Sequence, residues 1–445
     1  MEELRILSPT AILGYGFPEE SFRAGLALDP HVIAVDAGST DPGPYYLGAG
    51  VSFTERAAVK RDLALILEAG CSRHIPVLIG TAGGSGAKPH LDWCLDIIKE
   101  IAAAEKLRFR MAVVPADVDK DFLRRKIRSG TVMPPLGPPA PLQEADVDKS
   151  TYIVAQMGVE PLVAALDAGV EVVVAGRAYD PAVFAALPVH LGYDRGLALH
   201  LGKILECAAI AAEPGSGSDC MFGWLRRDHF LVAPLNPQRR CTVTSVAAHT
   251  LYEKSDPYFL PGPGGALDLH AVTFRQHNER QVYVAGSRFV PSQQYTVKLE
   301  GAGPVGFRTV SIAGARDPVF IRQLDQILAG VRERVADNFH ALAGQYRLLF
   351  HIYGRNGIMG ELEPLKEQSC HELCLVIEAV ASTQETAGTI CGFTRSTLLH
   401  YGYPGRLSTA GNLAFPYSPS DFQAGPVYQF VVHHLLTVDD PLELF

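Results

Sequence analysis

The stretch EPLVAALDAGVEVVVAGRAYDP, from Glu160 to Pro181, decides the fold class. Its first part sets Leu162, Val163, Ala165 and Leu166 at helical spacing and closes on Asp-Ala-Gly, where Gly169 can take the left-handed turn that ends a helix. Val172 to Ala175 then read as a strand covered on both faces, because no polar residue interrupts them. After the loop Gly176–Tyr179, Asp180-Pro181 has the form of a helix start. Helix, buried strand, loop and helix in that order predict a mostly parallel, doubly wound (Rossmann-like) α/β sheet with helices on both faces.

Outward from this stretch the same grammar repeats. Strands are expected at Ala11–Leu13, Val32–Val35, Val77–Ile79 and Ala112–Val114, and helices at Ser21–Leu28, Pro89–Ala104 and Phe122–Arg128. The Pro-rich piece between Gly130 and Ala145 cannot be a central strand and is expected to form an ordered surface excursion or lid. Glu213-Pro214-Gly215-Ser216 marks a change of character. Residues 1–214 are therefore expected to form the α/β domain. Residues 215–445 are expected to form an α+β domain contributing loops to the cleft, with strands at Leu267–Phe274, Gln281–Ala285, Tyr295–Leu299, Leu373–Ala379 and Val427–His433 and a helix at Thr383–His400.

Composition narrows the function. A net charge of −9 without a basic run argues against nucleic acid as a partner. No run of about 18 apolar residues is present, and MEELRILSPT carries acids where a secretory signal is basic and apolar, so a cytoplasmic protein with no membrane partner is expected. The eight cysteines are scattered and build no disulfide framework. Cys370 and Cys374 flank His371 and Glu372, but no second Cys/His pair completes a zinc set.

In an open parallel sheet, ligands bind beyond the carboxyl ends of the strands, which singles out the loops from Asp36, Gly80, Pro115 and Gly176. Gly80 to Ala87, GTAGGSGA, reads as an anion cradle: the amides of Gly83, Gly84, Ser85 and Gly86, with the Thr81 and Ser85 hydroxyls, precede a helix start. It fits neither Gly-x-x-x-x-Gly-Lys-Ser/Thr nor Gly-x-Gly-x-x-Gly, so it is no nucleotide or NAD signature. A tight packing corner would use the same glycines.

Asp36, Ser39, Thr40 and Asp41 form a polar turn able to bind a substrate hydroxyl or a divalent cation, with Asp41 as a general base if desolvated; an Asx-turn uses the same residue types. Asp36-x-Gly-x-Thr resembles the first phosphate motif of the actin and sugar-kinase superfamily, but Pro42 and Pro44 block the strand that should follow. Arg177 is placed to hold a carboxylate or phosphate in two-pronged fashion, unless it pairs with Asp180 to cap the next helix. His200, Lys203 and Glu206 share one helical face in an apolar segment, which makes Lys203–Glu206 a candidate acid/base unit. His249 and Glu253 are further general-base candidates. Ser408, Thr409 and Asn412 add polar groups on irregular backbone.

LSPTAILGYGFPEESF, VIAVDAGSTDPGPYYLG, IGTAGGSGAKPHLDW, VVVAGRAYDPAVFAA, HLGKILECAA, LYEKSDPYF and LLHYGYPGRLSTAGNLAFPYSPSD resemble the acyclic terpene utilisation AtuA family along almost the whole chain. The resemblance implies catabolism of small acids handled as coenzyme A thioesters, and a small companion protein as partner. Some longer relatives add a C-terminal ferredoxin-like domain. Here the final strand, helix and strand read as part of the core.

With anion-holding loops, several carboxylates and no nucleophile motif, the expectation is a lyase or hydratase acting on a small organic acid or acyl-CoA-like substrate. A non-catalytic binding subunit working with a partner, and an ATP-dependent kinase or ligase, are the alternatives. The apolar segments of the second half point to a homo-oligomer.

Overall fold

The computed structural model describes residues 2–137, 140–365 and 370–445. Pro138 and Pro139 of the expected lid lie outside the described residues. The chain forms two compact units, Met1–Gly303 with Phe430–Phe445, and Pro304–Gln429.

The larger unit is built on β1 (Leu4–Ser8), β2 (Val32–Asp36), β3 (Val77–Gly80), β4 (Met111–Val114), β5 (Tyr152–Gln156), β6 (Val172–Ala175), β7 (Met221–Leu225) and β8 (His229–Pro234). A nine-stranded sheet runs Thr273–Gln276, Val282–Ala285, β8, β7, β1, β2, β3, β6, β4. The pairs β1–β2, β2–β3, β3–β6 and β6–β4 are parallel, whereas β7 runs antiparallel to β1. β2, β3 and β6 are buried along their length, while edge strand β4 is half-exposed. Their side chains alternate between two cores, as the period of a strand requires. Ile6, Val32, Ala34, Leu78 and Val173 face the core under helices Asp180–His190 and Arg195–Leu205. Leu7, Ile33, Val35, Ile79 and Val174 face the one under helices Arg56–Arg73 and Lys88–Ala104.

Three boundaries differ from expectation. The first strand is Leu4–Ser8; Pro9 ends it, and Ala11–Leu13 form a turn fixed by the Asp62 carboxylate, which accepts from the Gly14 and Gly16 amides at 2.9 and 3.0 Å. Leu267–Phe274 is not one strand: Gly265–Asp268 belongs to a small three-stranded sheet and Thr273–Gln276 to the large one. The change of composition near 214 does not coincide with a break between units, because β7 and β8 extend the first sheet.

β5 leaves the main sheet and pairs antiparallel with Lys298–Ala302 of the long strand Tyr295–Ala315. This brings Glu300 opposite Val154. The Pro-rich piece is tied down where Leu136 N donates to the His433 carbonyl.

The smaller unit contains strand Phe307–Ala315, helix Leu324–Asn338, strands Tyr346–Tyr353 and Leu373–Ala381, helix Gln384–His400 and the first part of strand Asp421–Val438. Leu373–Ala381 lies between Phe307–Ala315 and Tyr346–Tyr353, antiparallel to both. The order β-α-β-β-α-β with the third strand beside the first is a split βαβ, ferredoxin-like connection. The final strand, helix and strand, expected to belong to the core rather than to a ferredoxin-like addition, are thus part of a separate ferredoxin-like unit.

Candidate functional site

Because β2, β3, β6 and β4 are parallel neighbours, the loops that leave Asp36, Gly80, Gly176 and Val114 gather at one edge of the sheet. Backbone bonds knit two of these loops together: the Thr81 and Ala82 amides donate to the Gly176 and Ala175 carbonyls, and the Arg177 amide donates to the Gly86 carbonyl. The glycines make this possible. A Cβ at Gly83 would run into the His90 carbonyl, one at Gly86 into the Arg177 amide, and Gly84 occupies the space a Cβ on Gly38 would need; Gly83, Gly84 and Gly86 all have φ between +71° and +111°.

The expected anion cradle is thus a closed corner. Thr81, Gly83, Gly84, Ser85 and Gly86 are all buried, and the packing corner accounts for every glycine in the loop. The Ser85 hydroxyl is buried with no hydrogen-bond partner.

Arg177 is 1% exposed, and its Nε and Nη1 are engaged inside the unit. Its Nε donates to Glu300 Oε2 at 2.7 Å, and its Nη1 to the Ala178 carbonyl at 2.6 Å and to Asp180 Oδ1 at 3.0 Å. Glu300 Oε1 accepts from the Thr40 hydroxyl and pairs with Lys298, each at 2.7 Å. Burial pushes the Glu300 carboxyl up, but Arg177 and Lys298 outweigh it and hold it down at about 2. The pairing of Arg177 with Asp180 is therefore present, and a second carboxylate joins it. Glu300 is not evident from sequence because the strand YTVKLEGAG carries no turn or motif; a lone glutamate beside Leu299 in a β-like run is the available signal.

The turn at Ser39 is an ST-turn and not an Asx-turn: Ser39 Oγ accepts from the Asp41 amide at 3.0 Å and donates to Asp41 Oδ2 at 2.8 Å. Asp41 is exposed, so it lacks the desolvation expected of a general base. Asp36, at the end of β2, is different. Burial, then the nearby Asp180 charge, push its carboxyl well above the usual range against the pull of Arg177.

The second cluster forms on helix Arg195–Leu205 and the segment His249–Lys254. Lys203 Nζ donates to Glu206 Oε1, while Glu206 Oε2 is buried without a partner. Burial, against the pull of Lys203 and with a further push from Asp180, holds the Glu206 carboxyl up at about 7. The Lys203 ammonium lies 5.4 Å from the Tyr252 ring centroid, and that ring stacks on His249 with centroids 5.4 Å apart. His249 Nε2 is also buried and unpartnered; burial, with the Lys203 charge, pushes this imidazole down to about 4. Glu253 is exposed and hydrogen-bonds Tyr252. His200 shares the sequence spacing but not the role: Ser287 and Thr250 hydroxyls meet its two ring nitrogens at 2.7 and 2.9 Å.

A cleft of about 840 Å³ opens at this edge within the larger unit. Asp41, Gln156, Arg177, Tyr179, Asp180, Glu253, Lys254 and Lys298 supply its polar wall, and Leu136, Val290 and Leu435 are among its apolar residues. Asp180 is the hinge between the clusters, since its charge acts on Asp36, Arg177 and Glu206 alike. Ser408, Thr409 and Asn412 belong to the smaller unit, where Arg406 binds Ser408 Oγ and Asn412 Oδ1 and so ties the loop to itself. Among the described residues, no group of three or more His, Cys, Asp or Glu is placed to hold a metal ion, and no helix is long and apolar enough to cross a membrane.

The model of the acyclic terpene utilisation family protein AtuA matches residues 59–217 and 231–418, and the chain belongs to that family. No curated relative and no solved structure matches the chain.

Proposed function

We propose that this AtuA-family chain is a general acid/base enzyme of the lyase or hydratase type, acting on a small anionic acyl compound in the cleft of the larger unit. One observation carries the reading. Glu206 is a buried carboxyl held near neutrality at about 7, with one oxygen on Lys203 and the other unpartnered; it does not line the cleft itself but feels the charges of Asp180 and Lys254, which do.

A carboxyl balanced near the working pH can both give and take a proton, which suits elimination or addition of water next to a carbonyl. In this reading Glu206 moves the proton and Lys203 fixes its geometry. The Lys254 amine stands in the wall where the substrate carbonyl is held, and Lys298, paired with Glu300, belongs to the same wall. Arg177 acts through Glu300 and Asp180, holding the wall in shape.

The test is solvent deuterium exchange. The protein is incubated with unsaturated and hydroxy acyl compounds, as free acids and thioesters, in deuterated water, and carbon-bound deuterium is followed by mass spectrometry. Exchange that Glu206→Gln removes supports the reading. Absence of exchange and turnover across the panel overturns it, and exchange that appears only after a co-purified chain is added identifies a binding subunit instead.

A further inference from the structure

Arg177, Lys254 and Lys298 line the cleft, Lys203 stands near enough for its charge to act on Lys254, and three of these four cations are already committed. Arg177 is held by Glu300 and Asp180, Lys298 by Glu300 at 2.7 Å, and Lys203 by Glu206. Lys254 is the fourth. It is half-buried, lines the cleft, and among the described residues has no carboxylate within ion-pair distance; its ammonium nitrogen instead lies 5.7 Å from the centroid of the Tyr179 ring.

The backbone sets it there at some cost. Glu253, the residue before it, has φ +62°, the left-handed region that a non-glycine residue enters at a cost of about 1–2 kcal/mol. The chain turns at the end of helix Val243–Thr250, with the Tyr252 amide donating to the His249 carbonyl and the Lys254 amide to the Leu251 carbonyl. Strain of this kind, held in place next to a cleft, points to a side chain that has to be presented there.

We infer that Lys254 is a nucleophilic amine that condenses with the carbonyl carbon of an oxo acid or oxoacyl substrate. The inference rests on the acid/base reading of the same cleft and names its substrate class. Around the amine stand Lys203, Glu206, Asp180 and Glu253, together with the Tyr179 ring. Burial, then the Lys203 charge, push the Lys254 amine below its ordinary value, against the pull of Glu206, Asp180 and Glu253. A lysine beside a second cation in a desolvated wall is one recognised way to obtain a neutral amine.

The step balances with the groups present. The nitrogen lone pair forms the C–N bond while the carbonyl π pair moves to oxygen, and a proton shift from nitrogen to that oxygen gives a neutral carbinolamine. The hydroxyl leaves as water with a proton from the Glu206 carboxyl, leaving a protonated imine and the Glu206 carboxylate. The imine then draws electrons from the adjacent carbon, whose proton passes to Glu206, and hydrolysis returns both product and amine.

The experiment is borohydride trapping on the full chain with pyruvate, acetoacetate and 4-oxopentanoate as probes. Expected is a mass increase equal to the oxo acid less one oxygen atom on the peptide that contains Lys254, lost in Lys254→Arg. Lys254→Arg, confirmed folded by its melting curve, should also lower deuterium exchange into the same three oxo acids on the order of 10²-fold, because a guanidinium forms no imine with their keto carbon.

No adduct on Lys254 with any of the three probes overturns the inference, as does an adduct spread equally over exposed Lys88 and Lys99. The two readings fail separately. Loss of exchange in Glu206→Gln without any Lys254 adduct leaves acid/base chemistry standing alone, whereas a Lys254 adduct without exchange on any compound leaves the amine standing alone.

Discussion

Arg177 and Lys203 are both buried cations that meet buried carboxylates, yet the carboxylates end on opposite sides of their ordinary range. Glu300 receives Arg177 and Lys298 charges and the Thr40 hydroxyl, and is held at about 2. Glu206 receives Lys203 on one oxygen, nothing on the other, and the repulsion of Asp180, and sits at about 7. The number of donors decides the outcome, because each one replaces part of the hydration that burial removes. A fully satisfied carboxylate is a permanent counter-ion; a half-satisfied one is a proton reservoir.

Glu206 carries the largest expected effect. Glu206→Gln keeps the shape and removes the exchangeable proton, so turnover or exchange should fall about 10²–10⁴-fold, the usual worth of a positioned acid or base. The limb of the pH profile near 7 should disappear with it. Stability carries its own sign. With a folded pKa above the ordinary 4.5, the folded chain binds more protons than the unfolded one between 4.5 and about 7, so this group makes the protein less stable as pH rises through that window. Melting curves at several pH values should show that slope reduced in the variant; an unchanged slope and an unchanged rate would remove Glu206 from the chemistry.

Glu300→Gln should do the reverse and act on folding. It leaves Arg177 and Lys298 without their shared counter-ion, at a cost of about 3–5 kcal/mol at neutral pH. The carboxyl is held low, so its stabilisation is present above the ordinary 4.5 and is lost as pH falls toward about 2. Denaturant titrations should therefore show the gap between variant and parent narrowing below 4.5. A variant as stable as the parent at pH 7 would mean that Arg177 and Lys298 are satisfied elsewhere.

Gly86→Ala sharpens the same contrast from the backbone side. A methyl there meets the Arg177 amide, and φ is +71°, so about 2–4 kcal/mol of stability should be lost through crowding and strain together. If the loop were instead an open anion cradle, alanine would cost little stability and weaken binding of a phosphate or carboxylate.

That last alternative shows what a sequence can and cannot carry. The meeting of the loops after β2, β3 and β6 was legible, because runs such as Val172–Ala175 can only be covered strands and parallel strands put their loops at one edge. The purpose of GTAGGSGA was not, since close packing and close approach to a ligand ask for the same residue. Lys203–Glu206 was legible from its spacing in an apolar helix. Glu300 was not: Arg177 and Glu300 stand 123 positions apart, and only the antiparallel pairing of β5 with Lys298–Ala302 brings that strand to the sheet edge. The split βαβ order of the smaller unit was hidden for a related reason, as its central strand continues out of Tyr295–Leu299 with no break in composition.

The smallest effect concerns the two buried histidines. His200 has hydroxyls on both ring nitrogens and is pushed by burial down to about 3, whereas His249 Nε2 has no partner. By the logic of the two carboxylates, the satisfied ring is structural. His200→Gln keeps a hydrogen-bonding side chain of similar reach and should cost about 1–2 kcal/mol of stability while leaving the apparent pKa of the rate profile unmoved. His200 also anchors Thr250, one residue from His249, so the variant tests whether that anchor transmits to the Lys203–Glu206 pair. A shift of the near-neutral limb in His200→Gln would show that the two regions are one coupled network, and the division between counter-ion and proton reservoir would then have to be drawn around both.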